Sequence, residues 1–374
     1  MTKGWAEDRS LERIRLLAGS DLDHKVLRGA VLAELGRMLA FDAFVWPLCD
    51  PRTAVGMAPR ARIPCPQELP RLIRLKYLSG PGRWTSLMHA SPPATTLMRA
   101  AQGDPSQSPV WNGLLQRYGV RDVLSAVFAD KYGCWAWLDL WRTGASGRVT
   151  GAFSDHEIGY LGRVAEALTP ALRGAAAREF RNLPAPGPNS EPAAVRPDLP
   201  EQAVLTLDEE LAIAGQTASV DEWLQLLQPG PFPHQHVPAE VLNVAAQLMA
   251  REAGVDTHFA ECRVHVGAGH WASLRASRMA SGMPGSTPPL AVTIQACSAP
   301  ERLDLFARAY GLTPRQGELL RLAAAGVDTA AMAEAHNVTV YTVQDQFKQI
   351  FQTCGVHSRA ALLAMALGTR PRTQ

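Results

Sequence analysis

No uninterrupted apolar run in this sequence reaches the roughly 18 residues that a membrane-crossing helix requires. The opening, MTKGWAEDRSLERIRLLAG, is charged and lacks the apolar core of a secretory signal. Cysteine is sparse: Cys49, Cys65, Cys134, Cys262, Cys297 and Cys354 are scattered and form no CxxC pair. That pattern reads as reduced, mostly buried thiols in a cytosol rather than a disulfide framework. Neither sign of charge dominates, with 37 Lys and Arg against 35 Asp and Glu, so nothing global selects a polyanion. The expectation is a cytoplasmic protein without membrane contact.

Motifs for catalysis are missing too. There is no GxSxG, no HExxH and no P-loop. Gly267-Ala268-Gly269 is a lone GxG in a hairpin and opens no helix that would hold a phosphate. His258, Cys262, His265 and His270 match no established ligand spacing, and Cys262 and His265, three apart on a strand, fall on opposite faces. His234 and His236 sit among prolines. An enzyme would need a site assembled from scattered residues, so the expectation is no catalysis, no metal and no resident cofactor.

What is present is ordinary globular material, 374 residues with 47% apolar and 19% charged side chains, enough for two to three domains. In residues 1–181, Leu11–Leu17 and Val26–Leu39 read as helices and FDAFVWPLCD as a strand. Residues 59–113 are rich in Pro, Gly and Ser, with helical patches at Glu68–Leu78 and Ala94–Ala101, and Trp111–Tyr118 reads as one helix. DVLSAVFAD and CWAWLDLWR make a hairpin around Lys131-Tyr132-Gly133. Ser154, with Glu157 three residues on, caps a long helix toward Phe180. Six of the nine tryptophans lie between Trp46 and Trp141. Trp135, Trp137, Asp139 and Trp141 share one strand face, and Cys134, Ala136, Leu138 and Leu140 the other. The aromatic face with its carboxylate can line a pocket for a flat or cationic ligand, or can simply cover the sheet. Trp46, Trp135, Trp137 and Asp139 are the candidate ligand residues.

Residues 182–200 hold six prolines and read as a semi-rigid linker. Residues 201–297 read as two strands, a helix near Val220–Leu227, a helix over Pro238–Ala253, a hairpin and a last strand, the order β-β-α-α-β-β-β. Residues 298–311 read as a connecting helix.

The stretch from Leu312 to Leu367 reads as four short capped helices. Thr313-Pro314 with Gln316 opens the first, Asp328 the second, Thr339 the third and Ser358 the fourth; Gly326 and Gly355 end the first and third. In the third, Val340, Val343, Phe347, Ile350, Phe351 and Cys354 form one apolar face, while Tyr341, Asp345, Lys348, Gln349 and Gln352 occupy the opposite arc, with Gln344 at its edge. Amides, a lysine and a carboxylate at that spacing suit base edges in a major groove. A solvated bundle helix has the same pattern.

Across that stretch Leu312-Thr313-Pro314-Arg315, Leu319 to Leu322, Ala325-Gly326, Ala333-Glu334, Val338, Thr342-Val343, Ile350-Phe351, Gly355-Val356 and Ser358-Arg359-Ala360 resemble the C-terminal domain of LuxR-type transcription regulators. The resemblance implies a helix-turn-helix over 312–374, base contacts at Gln344, Asp345 and Lys348, and further DNA contacts at Thr329, Thr339, Tyr341, Thr342 and Arg359. The family often carries Lys or Arg where this chain has Ala330, Gln344, Thr353 and His357. Four basic and four acidic residues balance from Leu312 to Leu367, so one copy should bind DNA weakly and a homodimer is expected.

Upstream, Phe41-Asp42, Asp50-Pro51, Gly103-Asp104-Pro105, Ser108-Pro109, Cys134-Trp135, Leu138, Leu140 and Phe153-Ser154 resemble GAF-type sensory domains of actinobacterial LuxR-type regulators. Leu207-Asp208, Trp223-Leu224, Gly269, Trp271, Leu274 to Arg278 and Val292-Thr293-Ile294 resemble PAS-like modules. These likenesses imply a multidomain α+β chain: a GAF-like domain at 1–181, a PAS-like domain at 201–297 and an all-α helix-turn-helix domain. The function they imply is sequence-specific DNA binding by a sensor-gated regulator, with double-stranded DNA, a second copy, a small-molecule effector and RNA polymerase as partners. The alternative is a non-catalytic signalling protein whose helix-turn-helix unit dimerises or binds protein.

Overall fold

The computed structural model describes residues 2–144, 151–181, 199–228, 237–280 and 287–369. The 182–198 portion of the expected linker, with His234 and His236, lies outside them. The fold is mixed α and β, with two antiparallel sheets and a helical C-terminal region. The chain begins with α1 (Thr2–Ala18) and α2 (His24–Met38), then β1 (Ala43–Cys49), β2 (Gly56–Arg62), α3 (Leu69–Leu78), α4 (Trp84–Leu87), β3 (Ala94–Thr96), α5 (Leu97–Ala100) and α6 (Pro109–Gly113). The hairpin β4 (Asp122–Asp130) and β5 (Gly133–Arg142) follows, then the 25-residue α7 (Asp155–Glu179). Next come β6 (Ala203–Leu207), β7 (Ile213–Gln216), α8 (Val220–Leu227), α9 (Ala239–Glu252), β8 (Glu261–Gly267), β9 (His270–Arg278) and β10 (Leu290–Ala296). The strand and helix order over 203–296 is the expected β-β-α-α-β-β-β.

The first sheet has the order β2-β1-β5-β4-β3 and the second β7-β6-β10-β9-β8. Numbered within each sheet, both orders are 2-1-5-4-3. In both, a first pair of strands and a last three are separated by helices, so the chain builds one topology twice. The first hairpin depends on Gly133. Its φ is +144°, and an added Cβ would lie 2.0 Å from the Pro51 carbonyl oxygen, which accepts the Cys134 N–H at 3.1 Å.

Several boundaries differ from the sequence reading. β2 was not expected, because AVGMAPRAR lacks apolar alternation and contains Pro59. It is an edge strand, where a missing N–H costs no ladder bond. The helix expected over Ala94–Ala101 is half strand: β3 pairs with β4, and the Thr96 hydroxyl then caps α5 by accepting the Arg99 N–H. The single helix expected over Trp111–Tyr118 breaks at Leu114 into α6 and a 3-10 turn over Leu115–Tyr118, ended by left-handed Gly119.

The chain falls into two compact units. The first takes the described residues of Met1–Leu172, Pro200–Val264 and Ser273–Gln295. Within it α9 packs on α3 and β2. Polar groups fasten that packing. Arg263, 5% exposed, donates from Nε and Nη2 to the two carboxylate oxygens of Asp50, 1% exposed, at 2.7 and 2.8 Å. The Arg263 backbone N–H reaches the same carboxylate at 3.0 Å. Buried Arg83 donates to Asp256 at 2.7 Å and to Gln247 at 2.8 Å. Asn243 donates to the Gly56 carbonyl at 2.8 Å, and the Glu240 carboxylate accepts the Ala58 N–H at 2.7 Å.

The second unit takes the described residues of Arg173–Leu199, His265–Ala272 and Ala296–Gln374. It holds α10 (Ala299–Ala309), α11 (Pro314–Ala324), α12 (Thr329–Ala335), α13 (Val340–Cys354) and α14 (Arg359–Leu367). The expected caps are made: Thr313 accepts the Gln316 N–H, Asp328 that of Ala331, Thr339 that of Thr342 and Ser358 that of Ala361. Left-handed Gly355 ends α13. Phe180 stacks on Trp271 at 5.0 Å and meets Phe306 edge-on at 5.2 Å, giving this unit an aromatic core beside α10.

Burial pushes the Asp50 pKa up, and the Arg263 charge and hydrogen bonds, with backbone N–H groups, more than offset it, so the net shift is downward. Asp256 is also held low: burial raises its pKa, and bonds from His258 and Arg83 outweigh that. Carboxyls with depressed folded-state pKa values contribute stability that is whole above the unfolded value of about 4 and is lost as pH falls below it. Acid titration of the full chain should therefore lower its urea midpoint below about pH 4. Asp50→Ala, which strands a buried guanidinium, should cost about 3–5 kcal/mol in urea unfolding at pH 7. A loss under 1 kcal/mol would show that Asp50–Arg263 does not hold this unit together.

Candidate functional site

The first unit contains a cavity of about 440 Å³, inside the roughly 300–1,000 Å³ range of small-molecule sites. The first sheet supplies its floor through Val45 and Pro47 of β1, Val123 and Ser125 of β4, and Trp137, Asp139 and Trp141 of β5. Leu72, Ile73, Lys76 and Tyr77 of α3 form one wall, and Ala239 and Asn243 of α9 add another part. The sheet register explains the floor. Val45, Asp139 and Ser125 are direct cross-strand partners, so their side chains fall in one row. On α3, positions 72, 73, 76 and 77 share a face at helical spacing.

A polar cluster is centred on Asp139 in the floor of this mostly apolar lining. Lys76 Nζ lies 2.7 Å from Asp139 Oδ2, and Ser125 Oγ donates to Asp139 Oδ1 at 2.6 Å. The Lys76 ammonium also stands 5.3 Å from the Trp137 ring centre and 5.9 Å from that of Trp84, within cation–π range. Trp84 and Trp137 stack at 5.1 Å. The indole N–H groups of Trp137 and Trp141 and the Ser108 hydroxyl are buried without a hydrogen-bond partner, and all three residues line the cavity.

Of the four candidate ligand residues, Trp137 and Asp139 come together here. Trp135, on the same strand face, is not in the lining; its indole N–H donates to Asp130 at 3.0 Å. Trp46 is not in the lining either. It alternates with Val45 and Pro47 to the other face of the sheet, where it stacks on Phe128 at 5.3 Å. Lys76 was missed. Its signal was present in the sequence as a lysine four residues from Leu72 and three from Ile73, on the apolar side of α3.

The second unit places the expected DNA-contact residues on and around α13. Val343, Phe347, Ile350 and Cys354 are buried. Tyr341, at 78% exposure, and Gln344, Asp345, Lys348, Gln349 and Gln352 are exposed. Thr339 is exposed, while Thr342 and Thr329 are half-buried. The Thr339 and Thr342 hydroxyls lie 2.9 Å apart, and the Thr339 oxygen caps the helix. Val340 was counted in the apolar face but is 42% exposed: it occupies the first turn, ahead of the packed stripe that begins at Val343.

Arg359 is held inward. It donates to the Val327 carbonyl at 2.5 Å and stands 5.4 Å from the Phe347 ring centre, tying α14 to α13 and to the turn before α12. Lys348 is then the only basic residue within α13.

No protein-family model matches the chain, and no curated protein is similar to it.

A charge-assisted hydrogen bond contributes about 1.5–3 kcal/mol, so Arg359→Ala should lower the thermal midpoint of the isolated protein. Lys348→Ala should leave that midpoint unchanged. Equal midpoints for the wild type and Arg359→Ala would remove the structural role of Arg359.

Proposed function

We propose that the chain is a sequence-specific DNA-binding transcription regulator of the LuxR type, in which α12 and α13 form the helix-turn-helix and upstream residues sense a small molecule. The observation that carries this reading is α13: one face packed through Val343, Phe347, Ile350 and Cys354, and the other presenting Tyr341, Gln344, Asp345 and Lys348 to solvent. Amides bond adenine edges, lysine donates to guanine, and a carboxylate accepts from cytosine. The turn His336–Thr339 between the helices and the capped start of α13 suit entry of that helix end-first into a major groove. In this reading the two 2-1-5-4-3 sheets are GAF-like and PAS-like modules, and DNA is held by a homodimer.

The balanced charge of the C-terminal helices and the inward-held Arg359 favour a second reading, in which the same face of α13 binds protein. Selection from a pool of random duplexes at low salt separates the two. The regulator reading expects an enriched motif with two-fold symmetry. Lys348→Ala should weaken binding to it by about 1–3 kcal/mol. A pool that stays random after repeated rounds would leave the protein-binding reading in its place.

A further inference from the structure

We infer that the cavity between the first sheet, α3 and α9 binds a small, uncharged, mostly apolar molecule that carries a hydrogen-bond acceptor such as a carbonyl oxygen. As a binding site this stands on the cavity alone; as an effector site it rests on the regulator reading above.

Charge matching comes first. Of the four ionic side chains in the lining, three are paired, Lys76 with Asp139 at 2.7 Å and Arg83 with Asp256 at 2.7 Å, and the fourth is Arg62. The exposed Arg62 guanidinium lies over the Phe44 ring at the solvent side. A carboxylate or ammonium carried to the depth of the cavity would lose its hydration and find no free opposite charge there.

Hydrogen-bond inventory comes second. Both oxygens of Asp139 are engaged, one by Lys76 and one by Ser125. Donors are in surplus. The Trp137 and Trp141 indole N–H groups have no partner, and the Lys76 ammonium carries three N–H bonds. A ligand that complements this wall brings an acceptor rather than a donor. The rest of the lining, including Val45, Leu72, Ile73 and Val123, asks for an apolar body.

The test uses the full chain without DNA and the neutral fluorescent probe N-phenyl-1-naphthylamine. Saturable fluorescence enhancement is expected, with displacement by γ-decalactone at one-tenth or less of the concentration needed for decanoate or decylamine. Val123→Trp should fill the cavity and weaken probe binding at least ten-fold. Trp5→Ser, an exposed aromatic outside the lining, should change nothing. Should Val123→Trp fail to fold, the double variant Lys76→Met with Asp139→Leu removes the charged pair together and with it the ammonium donor, and the lactone should then displace the probe only at a concentration at least ten-fold higher. No saturable enhancement, equal or tighter binding of decanoate or decylamine, or a folded Val123→Trp with wild-type binding would overturn the inference. Displacement that fails while duplex selection succeeds sinks this site alone. Selection that fails while displacement succeeds sinks the regulator reading and leaves the site.

Discussion

The first unit depends on two buried ion pairs in which each charge meets its opposite. Asp50–Arg263 and Asp256–Arg83 each join residues far apart in sequence, and in both pairs the carboxylate is also bonded by backbone N–H groups. Two charges removed from water are tolerable only when geometry and extra hydrogen bonds repay the lost hydration. Here Asp50 lies at the end of β1, where the chain turns at Pro51, and Arg263 lies in β8. The turn after one strand of the first sheet is therefore fixed to a strand of the second. Residues 200–264 belong to the same compact unit as the first sheet.

That constraint makes the cavity. α9 follows β7 and α8 in sequence and precedes β8, yet it packs on α3 and β2 and contributes Ala239 and Asn243 to a lining otherwise drawn from the first sheet, α3 and the loops and short helices beside them. Asn243 and Glu240 hold β2 by its backbone, at Gly56 and Ala58, so the edge strand beside the cavity is tied to the helix that walls it. Anything that expands or fills the cavity pushes on α3, α9 and β2 together.

How far the sequence reveals this differs from one level to the next. Capping and periodicity placed the four C-terminal helices closely, because Thr313, Asp328, Thr339 and Ser358 each act on the residue three positions away. The hairpin around Gly133 was legible for the same local reason. β2 was not, since an edge strand with Pro59 is specified by its neighbour and not by its own pattern. The aromatic face of β5 was visible, and alternation correctly grouped Trp137 with Asp139. Its partners Lys76 and Asn243 come from elements about 60 and 100 residues away, so no local rule could join them. Trp46 went to the other face because membership in a Trp-rich segment carries no information about which way a strand residue points. The inward turn of Arg359 was hidden for a related reason: its partners are Val327, in the turn before α12, and Phe347, in α13.

The functional claim comes down to what the exposed arc of α13 touches. Its face is polar and carries one lysine and one aspartate, so under the proposed reading DNA affinity would come from geometry, helix ends and a second copy rather than from charge. The most direct measurement is photo-cross-linking from p-benzoylphenylalanine placed at Gln344, in the full chain mixed with random-sequence duplex at low salt. The account predicts cross-links to bases, competed away by unmodified protein. Cross-links to protein alone, with none to DNA, would contradict it.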